Sequence, residues 1–102
     1  MFKIIKKQKR ASKEIPFYFE AHPVTRDYWI YVIENYISLG KMITSPWQIS
    51  DDGLEATCIT EWASKDDFMA YITNEHCIEN QIAPGQAYDA MNKIESELII
   101  EE

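Results

Sequence analysis

The chain has 102 residues, 46% of them apolar and 26% charged, with a net charge of −7 at neutral pH. That is the length and composition of one globular domain, and no apolar run approaches the roughly 20 residues of a membrane-spanning helix. The acidic balance repels a phosphate backbone, so nucleic acid is an unlikely partner. Two cysteines, Cys58 and Cys77, make no disulfide framework, and reduced thiols in a cytoplasmic protein are the expectation.

The charge is divided unevenly. Lys3, Lys6, Lys7, Lys9, Arg10 and Lys13 stand together without an acid, while residues 14–102 hold all 17 acids and only Arg26, Lys41, Lys65 and Lys93. Residues 1–14 therefore read as a basic N-terminal arm or short extra strand, solvated or resting on an acidic surface, with a mobile Lys7–Lys13 stretch. The start is charged too soon for a signal peptide. A single domain over residues 15–102 follows.

Ile15–His22 alternates as a strand should. Ile15, Phe17, Phe19 and Ala21 fall on one face and Tyr18, Glu20 and His22 on the other. Thr25 suits the N-cap of a helix from Arg26 to about Leu39, with Asp27 at its positive end and Gly40 at its left-handed stop. Trp29, Val32, Ile33, Tyr36 and Ile37 recur at helical spacing and should face the sheet, with Tyr28 and Tyr31 extending the stripe sideways.

Residues 43–63 then read as a hairpin. Ser50-Asp51-Asp52-Gly53 is its turn, because Gly reaches positive φ without a Cβ clash. On the returning strand Leu54, Ala56, Cys58, Thr60 and Trp62 share a face and should pack on helices. Glu55, Thr57, Ile59 and Glu61 share the open face. Ser64 caps the next helix, with Asp67 three residues on. That helix should bury Phe68, Tyr71 and Ile72. Pro84-Gly85 reads as a stop, Gln86–Ile94 as a short helix, and Ser96–Glu101 as a last strand with Leu98 and Ile100 inward.

The order is β-α-β-β-α-β, which predicts an α+β, ferredoxin-like fold: a four-stranded antiparallel sheet with helices on one face. The other face would carry Tyr18, Ile59, Ile99 and Trp47 or Ile49. A symmetric second copy is its simplest cover, so a homodimer through the open sheet face is expected.

Thr60-Glu61-Trp62-Ala63-Ser64-Lys65-Asp66-Asp67-Phe68 resembles the strand-end Trp, capping Ser and helix Phe of the antibiotic-biosynthesis-monooxygenase-like (ABM-like) group of dimeric α/β-barrel proteins. By element order the resemblance extends over about residues 15–101. It implies two sheets packed face to face and a pocket between sheet and helices in each subunit. It also implies activities that include cofactor-free oxygenation of aromatic or quinone-like substrates. The haem-degrading branch uses an Asn, a Trp and a His that would fall on Glu20, Tyr71 and near Gln81. None of these types is kept, so haem degradation is disfavoured.

Metal binding is not expected, since His22 and His76 stand far apart with no paired-ligand spacing. No phosphate-cradling Gly loop or nucleophile elbow is present, and no cofactor is implied. The remaining chemistry is acid–base work on a small hydrophobic ligand. His22 and Glu20 would be the catalytic pair on one strand face, about 7 Å apart. Tyr18, Trp47, Ile59, Glu61 and, through the resemblance, Tyr71 would line the substrate site. The competing reading makes His22 a surface residue before Pro23 and the two glutamates solvated or paired across strands. The expectation is thus a small-molecule-binding ABM-like protein, with cofactor-independent monooxygenation of a hydrophobic or aromatic substrate as its reaction. The alternative is a non-catalytic dimeric binding or regulatory module.

Overall fold

In the computed structural model, which describes residues 2–102, the basic N-terminal stretch lies at the middle of the sheet. Strand β1 (Phe2–Lys9) pairs antiparallel with β4 (Glu55–Trp62) on one side and β5 (Glu95–Glu101) on the other. The architecture is α+β, an open five-stranded antiparallel sheet in the order β2 (Met42–Thr44), β4, β1, β5, with β3 (Gln48–Ile49) also on β4. Of the expected arm or short extra strand, the strand is formed, and it is central and reaches Lys9, into the stretch expected to be mobile. Three of its four lysines stand opposite acids from distant sequence: Lys3 between Glu61 and Glu101, Lys7 opposite Glu97, Lys9 between Glu55 and Glu95. Opposite charges at directly facing positions stabilise a sheet. The uneven charge of the sequence is the pairing rule of these three strands.

Residues Ile15–His22 are not a strand. Tyr18–Ala21 form one helical turn, α1, after an extended Phe17. Glu20 reaches back to accept the Phe17 N–H at 3.0 Å, and the His22 N–H donates to Tyr18 O at 2.7 Å. Phe17 is wholly buried with Ala56 and Ile94, and Phe19 packs beside them. Alternation therefore predicts the wrong state here, because the buried Phe17 and half-buried Phe19 rings fit a tight turn as well as a pleat.

Helix α2 (Arg26–Val32) is capped by Thr25, whose Oγ1 accepts the Tyr28 N–H at 3.3 Å, and continues as a π-helical turn over Ile33–Ile37. The buried positions are Tyr28, Val32 and Tyr36, whereas Trp29 is 42% exposed. The expected stripe is thus shifted by one residue. Spacings of four drift round a regular helix, and the wider i→i+5 turn, closed by Ser38 N–H to Ile33 O at 2.8 Å, brings Tyr36 back into line. Gly40 follows at φ +71°.

The second strand is interrupted. Strand β2 (Met42–Thr44) and β3 (Gln48–Ile49) both pair with β4. Pro46, which has no N–H to give the ladder, lies between them, so five strands replace the expected four. After the Gly53 turn, β4 buries Ala56 and Trp62, on the face expected to meet the helices. Ser64 Oγ accepts the Asp67 N–H at 3.1 Å and starts α3 (Lys65–Thr73).

Helix α4 (Glu75–Cys77), a π-helical turn over Ile78–Ile82, and α5 (Ala83–Asn92) follow without an irregular segment. Pro84 does not stop the chain. It sits in the first turn of α5, directly after the π-helical turn closed by Ala83 N–H to Ile78 O, and the helical backbone runs on through it. Lys93, at φ 57°, ends the helix. In β5, Leu98 and Ile100 do fall on the helix side with Lys6 and Ile4. They are nevertheless 56% and 57% exposed, because the helices pack over the other strands.

The main core is Phe2, Ile4, Met42 and Trp62 from the sheet against Tyr28, Val32, Tyr36 and Cys77 from the helices. The opposite sheet face is bare. It carries the Lys–Glu rows and, between them, the aliphatic row Ile59, Ile5 and Ile99.

Candidate functional site

The seven residues singled out in the sequence do not converge. Tyr18 and His22 remain together, but at the end of the helix layer rather than on the sheet. They line a cleft of about 390 Å³ with Thr25, Tyr28, Asn80 and Gln81. The one-turn helix α1 sets this up by placing Tyr18 and His22 four residues apart on one side, ring centroids 5.4 Å apart. Tyr88 of α5 closes the stack, edge-on to His22 at 5.6 Å and tilted on Tyr18 at 5.6 Å. Its hydroxyl is anchored on Pro16 O at 2.6 Å.

Glu20 is turned away from His22. Its Oε1 accepts from Arg10 Nη1 at 2.9 Å and from the Phe17 N–H at 3.0 Å. Arg10 is itself buried, donating from Nε to Gly53 O at 2.8 Å and from Nη1 to Ile15 O at 2.8 Å, with its guanidinium 4.2 Å from the Phe17 ring centre. A buried cation needs this many partners. The expected His22–Glu20 acid–base pair is thus replaced by a structural Arg10–Glu20 pair.

The other candidates lie elsewhere. Trp47 stacks on Phe19 at 4.8 Å with Lys6 Nζ 6.0 Å from its ring. Ile59 and Glu61 lie on the bare sheet face, Glu61 being 3.9 Å from Lys3 Nζ. Tyr71 is behind the cleft wall, its hydroxyl 2.8 Å from that of Tyr28.

Behind Tyr28 extends a neutral phenol network that periodicity alone did not single out. Asn74 Nδ2 donates to Tyr31 Oη at 2.7 Å and to Tyr36 Oη at 3.0 Å. The same residue caps α4 by accepting the His76 N–H at 2.9 Å. His76 lies against Tyr31, centroids 4.1 Å apart. Burial pushes the Tyr71 phenol up to about 12, with the Tyr28 hydrogen bond pulling against it. Burial also raises Tyr28, where the Tyr71 contact adds to it, and Tyr36, where Asn74 opposes it. Both thiols, Cys58 and Cys77, are raised by burial as well. At neutral pH these groups keep their protons, so none of them is an activated nucleophile.

No protein-family model, curated protein or solved structure matches the chain.

The cleft lining carries no Asp, Glu, Lys or Arg among the described residues. It offers ring faces from Tyr18 and His22, a hydroxyl from Thr25 and side-chain amides from Asn80 and Gln81. Asn80 Nδ2 is committed to His76 O at 2.8 Å, which leaves its Oδ1 as an acceptor. Among the described residues no group of three or more His, Cys, Asp or Glu could hold a metal ion, and no helix is long and apolar enough to cross a membrane. Arg10, Tyr28, Asn80, Gln81 and Tyr88 were missed by the sequence reading. Only Tyr28 carried a signal, as one edge of the helical stripe.

Proposed function

We propose that this chain is a ferredoxin-like, ABM-like domain that binds a small, uncharged, planar organic molecule in the His22 cleft and assembles as a homodimer through its bare sheet face. The observation that carries the binding reading is the ring wall of Tyr18, His22 and Tyr88 beside a cleft of about 390 Å³ with amide and hydroxyl groups at its rim. Flat rings favour offset or edge-on stacking, and a neutral lining favours a neutral guest. The fold-level part is supported by the strand order, with β2 and β3 taken as one interrupted edge strand. Trp62 packing on Phe68 after the Ser64 cap supports it too.

Binding rather than turnover is the role the geometry favours. The carboxylate expected to work with His22 is engaged by Arg10. Cofactor-independent oxygenation would then rest on His22 alone as the base that takes a proton from a carbon acid. The dimer reading is supported by the Ile59–Ile5–Ile99 row, bordered by Ile43 and by charge rows whose lysines already have facing glutamates. Each face carries more glutamates than lysines, so it is the aliphatic row rather than charge that would hold two such faces together across a two-fold axis.

The test is amide NMR of the labelled chain titrated with phenol, indole and a naphthoquinone. Shifts should concentrate on residues 18–28 and 80–81, and His22→Ala should weaken binding about tenfold, the 1.4 kcal/mol that one lost ring stack can supply. Shifts confined to the sheet face, or equal binding by His22→Ala, would sink the cleft reading.

A further inference from the structure

Away from the cleft, three polar side chains close on one another beneath α5. Gln8 comes from β1, Asp89 from α5 and Ser96 from β5; Gln8 is 4% exposed and Asp89 8%. Gln8 Nε2 donates to Asp89 Oδ2 at 2.9 Å and to Ser96 Oγ at 3.2 Å, and Ser96 Oγ donates to the same Oδ2 at 3.2 Å. Both amide hydrogens of Gln8 are thereby used, and Oδ2 accepts twice. Two buried oxygens remain without partners, Gln8 Oε1 and Asp89 Oδ1. An amide oxygen only accepts, and so does a carboxylate oxygen. On two groups already joined by their other arms, the pair can be satisfied together by a single hydrogen placed between them. A carboxylic acid carries that hydrogen and a carboxylate does not.

We propose that Asp89 is a neutral carboxylic acid in the folded chain, donating Oδ1–H to Gln8 Oε1 while accepting Gln8 Nε2–H on Oδ2, and that this two-bond ring is a pH-sensitive clamp of α5 onto β1 and β5. An acid and a primary amide are complementary along these edges, each offering one donor and one acceptor. The surroundings favour the uncharged form. Ala56 faces Gln8 from β4, and Phe17 and Ile94 are the buried apolar neighbours of Ala56. Ser96 from β5 is neutral. Lys6 of β1 is the charged side chain that acts on Asp89. Burial is the strongest influence on Asp89 and pushes its pKa up, against Ser96, Lys6 and Gln8 in that order. Next along α5, Tyr88 is tied to Pro16 and packs on Tyr18 and His22, so the clamp also seats the wall of the cleft.

A group raised in the fold contributes stability that is complete below its unfolded pKa and disappears as the pH rises through the folded one. The clamp therefore closes on acidification. Carbon NMR of the chain, labelled at Asp carboxyls, tests it directly: Asp89 should titrate above the ordinary Asp value of about 3.9. Asp89→Asn keeps the ring, since an Asn amide presents one donor and one acceptor to Gln8 at any pH. Its urea midpoint should equal or exceed that of the parent at about pH 7.5, and the gap should close towards about pH 4, near the ordinary Asp value. If Asp89 titrates at or below the ordinary Asp value of about 3.9, or if Asp89→Asn is the less stable protein at about pH 7.5, Asp89 is a carboxylate and the proposal fails.

Discussion

Replacing Arg10 with Ala should cost about 3 kcal/mol of folding stability, a large share of the roughly 5–15 kcal/mol a small domain has. Arg10 is 7% exposed. Truncation strips a donor from Gly53 O and from Ile15 O, each held at 2.8 Å, at about 1 kcal/mol apiece. The Glu20 pair at 2.9 Å adds only about 0.5–1 kcal/mol, because the Glu20 side chain stands partly in solvent and is screened. The guanidinium over Phe17 adds a similar amount. The assay is urea unfolding of parent, Arg10→Ala and the exposed control Lys13→Ala, with equal slopes required for comparison. The control should stay within about 0.5 kcal/mol. An Arg10→Ala loss below about 1 kcal/mol would refute the reasoning, since it would make Arg10 part of a solvated arm. A double-mutant cycle with Glu20→Ala separates the ion pair from the carbonyl bonds.

The buried phenols predict an alkaline transition. Tyr71, raised to about 12, and the likewise raised Tyr28 and Tyr36 should hold their protons while the unfolded chain loses them near pH 10. Stability is then full below about pH 10 and falls as the pH climbs towards the folded values. Phenolate absorbance should show at most three of the six tyrosines titrating before unfolding, and all six titrating smoothly near pH 10 would contradict the buried network. Gly53→Ala should cost about 1–2 kcal/mol, because φ is +75° there and an L side chain is strained in that region. The Lys13 side chain, 2.8 Å from the new Cβ, is flexible and can move aside. An unchanged urea midpoint would argue against the positive-φ turn.

Short-range signals in the sequence were enough for the features that depend on neighbours a few residues away. Gly53 and Gly40 marked positive-φ turns, Thr25 and Ser64 marked helix starts, and the parity of Ala56 and Trp62 marked the buried face of β4. Each rests on local sterics or one local hydrogen bond. What decided the rest was distance along the chain. The lysines of β1 acquire meaning only beside Glu55, Glu61, Glu95, Glu97 and Glu101, and Arg10 only once Gly53, Ile15 and Glu20 are brought to it. Alternation in Ile15–His22 and the Pro84-Gly85 pair were overruled because burial of Phe17 in the one case, and a helical backbone already continuous through the π-helical turn in the other, outweigh weak local preferences. The cleft is tertiary in the same sense: Tyr18 and His22 lie close in sequence, but Asn80, Gln81 and Tyr88 reach them only when the helices pack. The free energy that selects such a site comes from burying rings across long loops, a quantity no short window of sequence contains.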